Sequence, residues 1–260
     1  MHWFLFLFFA LSTAAAEVSV GDALPQAHAH NDYEHDRPLL DALAQGFTSV
    51  EADIYLVEGS LLVAHDKEDL DPKKTLSALY LDPLKRLADG NKSVFKSGES
   101  LTLLIDFKSE AAPAYSALKK LLEPYRNMLT SFESGDIKTN VVTVIISGNR
   151  PREILLEEKS RLAAYDGRLA DLGSNLPVSF MPLVSDNWNT HFTWKGTGQL
   201  PDEQRARLKE IVSRAHAENR RLRFWATPDT EAAWKELRSA GVDLINTDNL
   251  AGLAAFLRAR

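Results

Sequence analysis

The chain has 260 residues, no cysteine and a formal net charge of −6. Without cysteine it has neither a disulfide framework nor a thiolate zinc site, and its acidic balance argues against nucleic acid as a partner, since phosphate backbones reward basic surfaces. An anionic small substrate would need local positive charge, from a metal ion or a few basic side chains.

The chain begins MHWFLFLFFALSTAAAEV, and the apolar run from Trp3 to Leu11 is too short to span a bilayer. Ala14, Ala15 and Ala16 fit a small-residue cleavage site, so residues 1–16 read as a secretory signal. The mature protein is then expected to be exported, periplasmic or secreted, with no transmembrane helix. Residues 17–260 remain as one domain, a size typical of one (β/α)₈ barrel of about 250 residues. Strands are expected at 26–30, 49–55, 101–107, 141–146, 161–165, 178–184, 222–226 and 242–246. Helices are expected near 37–45, 75–89, 111–128, 151–158, 168–174, 201–218, 230–239 and 250–259. Strand alternating with helix is the signature of a parallel sheet, and eight such units close into a barrel. The expected fold class is therefore α/β, a single (β/α)₈ TIM barrel.

Local signals support the helices. Asp36 suits the cap of the first helix, Pro38 its first turn and Gly46 its stop. Pro201 and Asp202 open the sixth, whose Leu208, Ile211, Val212 and Ala215 make one apolar stripe. Residues 67–100 form a longer charged excursion, broken by Pro72 and Pro83, that is expected to lie over the catalytic face.

The chemistry follows from strand alternation, because residues two apart on a strand point the same way. In VEADIY, Val50, Ala52 and Ile54 would face the helices, leaving Glu51 and Asp53 to the barrel interior. In LLIDFK, Leu103, Ile105 and Phe107 take the outer face, so Asp106 and Lys108 point inward beside them. Carboxylates crowded in this way repel one another and lose hydration unless a cation sits among them. As hard oxygen ligands, Glu51, Asp53 and Asp106 suit Mg²⁺ or Ca²⁺ better than zinc. His28 and His30 share a face at the end of the first strand, and His65 heads a turn with Asp66 after the apolar LLVA run. Two histidines flanking a metal are what phosphodiester cleavage requires, one taking a proton from the nucleophile and the other giving one to the leaving oxygen. The metal meanwhile neutralises charge on the non-bridging oxygens.

The order His30-Asn31, then GFTSVEADI, then GSLLVAHD resembles the glycerophosphodiester phosphodiesterase superfamily. Its barrels begin with a His motif, followed by an ExD strand and an HD. Here those elements are His30, Glu51-Ala52-Asp53 and His65-Asp66. The third acidic position, usually in an ExK motif, is Asp106-Phe107-Lys108, similar to the DLK of spider-venom sphingomyelinase-D-type phospholipases. RLRFWATPD and GVDLINTD resemble the closing strands, where an aromatic faces the site, and Trp225 fits. The HxHNDY…RPL variant is most like the branch that includes the fungal altered inheritance of mitochondria protein 6. Where the superfamily has His-Arg-Gly, this chain has His30-Asn31-Asp32, and the Pro-Glu-Asn-Thr that follows is missing.

The resemblance implies a TIM barrel of the PLC-like phosphodiesterase type and a phosphoric diester hydrolase acting on a small-molecule or lipid phosphodiester. Glu51, Asp53 and Asp106 would hold one divalent cation, Mg²⁺ or Ca²⁺. His30 and His65 would be the acid/base pair, and Lys108 would stabilise the phosphoryl oxygens. Asn31 and Trp225 would contact substrate; His28, sharing the face of His30, is a further substrate-contact candidate, with a supporting place behind the site or the role of the acid also open. The resemblance is also consistent with attack on phosphorus first by a substrate hydroxyl, giving a cyclic phosphate, with a cyclic phosphate or a hydrolysed monoester both open as the final product.

Weaker polar candidates stand at other strand ends. Ser147-Gly148-Asn149-Arg150 could offer a cation to phosphate, Ser185 to Trp188 could line the pocket, and Trp188 with Trp194 could form a rim. His35, His191 and His216 read as structural. Two other functions stay open. His28-Ala29-His30 fits the first-strand HxH of an amidohydrolase-type zinc barrel, although the fifth and sixth strands end AAYDG and PLVSDNW without the further histidines that site needs. A non-catalytic secreted barrel could bind a ligand through the same pocket, but would not need two histidines beside three acids.

Overall fold

The computed structural model describes residues 18–133 and 135–259; residues 1–16, read as an export signal, lie outside them. Eight parallel strands form the barrel: β1 (Leu24–Ala29), β2 (Phe47–Val57), β3 (Leu101–Phe107), β4 (Val142–Gly148), β5 (Ala163–Gly167), β6 (Leu183–Asn187), β7 (Arg221–Trp225) and β8 (Ile245–Thr247). They pair in the order β7-β6-β5-β4-β3-β2-β1-β8, and a single parallel bridge between Arg223 and Leu244 joins the two ends. The helices are α1 (Leu40–Ala44), α2 (Asp82–Asn91), α3 (Ala111–Leu122), α4 (Arg152–Glu157), the short α5 (Trp188–His191), α6 (Asp202–Ala217), α7 (Glu231–Ala240) and α8 (Leu250–Arg258). No helix among the described residues is long and apolar enough to cross a membrane.

Side-chain alternation divides the core in two. Val50, Ala52, Ile54, Leu103, Ile105 and Phe107 are buried in the large layer between sheet and helices. Leu104, Ile145, Ala164, Leu183 and Leu244 fill the barrel interior with Phe132, which comes from a small side sheet of Ser131–Glu133, Asp136–Lys138 and Ser160–Arg161. This packed plug closes the interior, so inward polar side chains are displaced to the carboxyl ends of the strands, where barrel active sites form.

Several expected boundaries move. The fifth strand begins at Ala163 rather than 161, and the sixth at Leu183 rather than 178. Pro177 and Pro182 explain the second shift: residues 177–180 turn, with Phe180 N–H donating to the Pro177 carbonyl at 2.9 Å, and Pro182 has no N–H for a ladder. The helix expected at 168–174 is only a 3₁₀ turn, Leu169–Asp171, ahead of Gly173 at φ +89°. The helix expected over 111–128 is α-helical to Leu122, after which Pro124 sits in a 3₁₀ turn, Glu123–Met128. Asp36 does not cap α1. The helix has no side-chain cap; instead the Asp32 carboxylate holds the turn before it by accepting the Leu39 N–H at 2.5 Å. Gly46, at φ +80°, does end the first helical segment.

The 67–100 excursion is the second helical layer of the barrel rather than a cover for its mouth. A π-helical turn, Ser77–Leu81, runs into α2, and Leu76, Tyr80, Leu81 and Leu84 are fully buried against the barrel. Pro83 does not break it, because it falls in the first turn of α2, where a missing N–H costs nothing.

Candidate active site

Every barrel strand delivers a polar side chain to one end of the barrel. β2 and β3 are in register with Asp53 beside Asp106, and β3 and β4 with Asp106 beside Ser147. A cavity of about 300 Å³ opens there, lined by His30, Asn31, Glu51, His65, Asp106, Lys108, Ser147, Gly148, Arg168, Arg223 and Trp225. No residue from 67–100 lines it. A larger groove of about 640 Å³, between the β2 hairpin and α3, has Lys120 as its one charged lining residue and no catalytic grouping.

Among the described residues, Glu51, Asp53 and Asp106 are the one set of three potential metal ligands whose ligand atoms all lie within 4.8 Å of one another. Each acid has one oxygen tied to the protein. Glu51 Oε2 accepts from Arg223 and sits 3.1 Å from His28 Nε2. Asp53 Oδ2 accepts from the Tyr33 hydroxyl at 2.7 Å and pairs with Lys108 Nζ at 3.0 Å. Asp106 Oδ1 pairs with the same Lys108 at 2.9 Å. The second oxygens remain, and Asp53 Oδ1 is buried with no hydrogen-bond partner among the described residues. Three hard oxygens with one orphaned in the interior fit a divalent cation. Gly148 makes room for the set: at φ +67°, a Cβ there would lie 2.5 Å from Asp106 Oδ1.

The electrostatics are uneven across the triad. Burial pushes Glu51 up, but the Arg223 guanidinium together with the neighbouring His28 more than offsets this and holds it well below the usual carboxylate range. Burial and the Glu51 charge push Asp53 up to about 6. Lys108 is partly desolvated, yet Asp53 and Asp106 hold its proton more firmly than usual.

His30 and His65 both line the cavity. His30 Nδ1 is 2.7 Å from Asp248 Oδ1. Burial lowers its pKa, and the Asp248 hydrogen bond with the Glu51 charge outweighs that, so the net shift is upward. His65 Nδ1 lies 3.0 Å from the Tyr33 hydroxyl and 3.4 Å from Asp53. Asn31, in the left-handed region at φ 45°, has its Oδ1 3.0 Å from the same Tyr33 hydroxyl. Tyr33 therefore ties three site residues together.

His28 departs from the substrate contact expected of it. It is 0% exposed, with Nδ1 2.7 Å from the Ser49 hydroxyl and Nε2 on Glu51. Burial and the nearby Arg223 lower its pKa to about 3, so it stands neutral behind Glu51 and orients that carboxylate. The first-strand HxH zinc reading fails on the same contacts, since both His28 nitrogens are spent.

Four residues of the ring were missed by reasoning from sequence. Arg223 is 2% exposed and donates to Asn246 Oδ1 at 2.9 Å as well as to Glu51. Arg168 lies over the Trp225 ring, 4.7 Å from its centroid. Its Nη1 donates at 2.9 Å to Asp166, a fully buried carboxylate that also accepts from Ser147 and Ser185. Asp248 completes the set. The signal was available for Arg223, two residues from Trp225 on one strand. Arg168 was hidden because its strand was placed two residues early.

Other candidates lie elsewhere. Trp188 is buried between Phe192 and Phe224, and Trp194 donates its indole N–H to the Thr197 carbonyl, so the expected aromatic rim is core. Arg150 points away to the Asp166 carbonyl and the Tyr165 ring. Ser185 supports Asp166 instead of lining the pocket.

The fold defines a class: a TIM barrel of the kind seen in glycerophosphodiester phosphodiesterases. Two solved glycerophosphodiester phosphodiesterases share the fold. The one from Parabacteroides distasonis superposes with a TM-score of 0.54 at 15% identity, covering 92% of this chain and 99% of that one. The one from Agrobacterium tumefaciens gives 0.51 at 15%, covering 89% and 100%. The chain belongs to the AIM6-like phosphodiesterase domain family, matched over residues 19–166, and residues 221–251 match the glycerophosphoryl diester phosphodiesterase family. Among curated relatives, altered inheritance of mitochondria protein 6 of Eremothecium gossypii is 33% identical over 270 residues, spanning 90% of this chain and 69% of the relative. The homolog from Arthroderma benhamiae is 29% identical over 259 residues, spanning 86% and 81%.

Proposed function

We propose that the protein is a metal-dependent phosphoric diester hydrolase acting on a small-molecule or lipid phosphodiester. The observation that carries this is the convergence of Glu51, Asp53 and Asp106 around the orphaned Asp53 Oδ1, with His30 and His65 on the same cavity. Those three acids would hold one divalent cation, Mg²⁺ or Ca²⁺, which when bound neutralises the non-bridging oxygens of the diester. His65 takes the proton of the attacking hydroxyl. His30, whose protonated form is favoured by the Asp248 hydrogen bond and the Glu51 charge, gives one to the departing oxygen. Lys108 holds Asp53 and Asp106 in place and offers charge to the phosphoryl group. As the resemblance implies, a substrate hydroxyl attacks phosphorus first, forming a cyclic phosphate and expelling the departing alcohol, and water then opens the cyclic phosphate to the monoester to complete the hydrolysis.

The test is a panel of glycerophosphodiesters, lysophospholipids and sphingomyelin, each with Mg²⁺, with Ca²⁺ and with chelator. Turnover of at least one, abolished by chelator, is expected. The double variant Glu51→Gln, Asp53→Asn should lose about a hundredfold or more, the scale of removing one preorganised electrostatic group. Full activity of that variant, or indifference to chelators, would sink the proposal. Metal binding without turnover would favour a ligand-binding barrel.

A further inference from the structure

Once the acid triad is set against its partners, most of the positive charge around the cavity is already committed. Lys108 spans Asp53 and Asp106, and Arg223 is held between Glu51 and Asn246. Asn31 is uncharged, where the superfamily motif has an arginine. Arg168 differs from the other cations. Its side-chain hydrogen bonds all run through one nitrogen: Nη1 donates to Asp166 Oδ2 and the Gly167 carbonyl at 2.9 Å each, and to the Ser185 carbonyl at 3.4 Å. Among the described residues, Nε and Nη2 have no protein acceptor, in a side chain that lines the cavity.

The guanidinium is also held as a plane. It lies 4.7 Å from the Trp225 ring centroid, and Trp225 lines the same cavity. Beneath it, Asp166 is fully buried and is itself fixed by the hydroxyls of Ser147 and Ser185, from the strands on either side. Burying a carboxylate is costly unless it is paired and hydrogen-bonded. Here that cost goes into aiming one arginine. Half of the fork is anchored, and the Nε–Nη2 edge, which matches two oxygens of a phosphate, is open.

We propose that Arg168 is a phosphate-binding residue of this site, and that Asp166, with Ser147 and Ser185, is its positioning group. The inference rests on the phosphodiesterase reading for its substrate, but the binding it claims can be measured without turnover. Arg168 supplies from β5 the cation that Asn31 does not supply from β1.

The experiment titrates inorganic phosphate into full-length protein in Mg²⁺ buffer, followed by calorimetry and by tryptophan fluorescence, which Trp225 reports. Arg168→Gln should weaken phosphate by about tenfold or more, and Arg168→Lys should recover part, since an ammonium restores charge but not the fork. Asp166→Asn should give a smaller loss. If a diester is turned over, the Arg168 variants should raise KM more than they lower kcat, whereas a merely structural role would lower the melting temperature and leave KM alone. Wild-type affinity for phosphate in Arg168→Gln overturns the inference, as does absence of phosphate binding by the wild type. Absence of diester turnover alone overturns the proposed function and leaves the titration to decide Arg168.

Discussion

Three histidines, His28 within β1, His30 just after it and His65 after the short Ser60–Val63 strand that pairs with β2, end up with three different tasks, and the neighbours of each decide which. His28 is sealed between Ser49 and Glu51, and burial with the Arg223 charge keeps it neutral. His30 is paired with Asp248, and His65 stands half-exposed beside Tyr33. Spacing in the sequence put His28 and His30 on one face but could not tell a sealed position from an open one. The pairing of His30 makes a prediction. A general acid works while protonated, so activity falls as pH rises through its pKa. Burial pulls the His30 pKa down, and Asp248 together with the Glu51 charge raises it by more. Asp248→Asn should therefore lower it and move the alkaline limb of the kcat/KM profile to lower pH. An unmoved limb would assign the acid to another group.

Between β1 and α1 the chain makes a sharp approach to the site. Leu40 N–H donates to the Pro38 carbonyl at 2.8 Å, a γ-turn that leaves Leu39 at φ 65°. Such a backbone costs about 1–3 kcal/mol for a non-glycine residue, and full burial of the leucine side chain offsets it by a similar amount. Asp32 holds the turn, accepting from Leu39 N–H and, at 2.9 Å, from the Tyr80 hydroxyl, while its Oδ1 is buried without a partner. Burial raises Asp32 from 3.8 to about 7 against the lowering effect of those two bonds. A carboxyl with a raised folded pKa contributes stability that is full below the unfolded value and is lost as pH rises through the folded one. Wild type should thus lose stability between about pH 4 and pH 7 relative to Asp32→Asn, as read by thermal melts at several pH values. A difference that stays constant with pH would contradict this. The element was legible as a helix with a polar start. The acid that holds the turn before it was not, because Asp32 and Asp36 are equally plausible by type and only the turn geometry chooses.

Across the whole molecule, one arginine does the work of a seam. β7 and β8 are joined by a single bridge, and the Arg223 guanidinium adds contacts to Asn246 on β8 and Glu51 on β2. Removing one partner of a buried ion pair strands the other charge, at a cost of about 3–5 kcal/mol. Arg223→Met should lose stability on that scale in urea denaturation, and adding Glu51→Gln should recover part, since the stranded charge is gone. An Arg223→Met protein as stable as wild type would show that the seam does not depend on the pair.

The strand and helix alternation, the inward direction of Glu51, Asp53, Asp106 and Lys108, and the pairing of His30 with His65 were all written in the order of residues. Two-residue periodicity and a family motif are local properties, and they survive folding unchanged. What only the tertiary structure decided was which inward side chains meet. His28 left the cavity, Trp188 and Trp194 became core, and the 67–100 segment became part of the barrel wall. Arg168, Arg223, Asp166 and Asp248 entered from strands five, seven and eight. Closing the barrel brings residues as far apart as Glu51 and Arg223 within hydrogen-bond reach, and a partner at that separation leaves no periodic trace in the sequence.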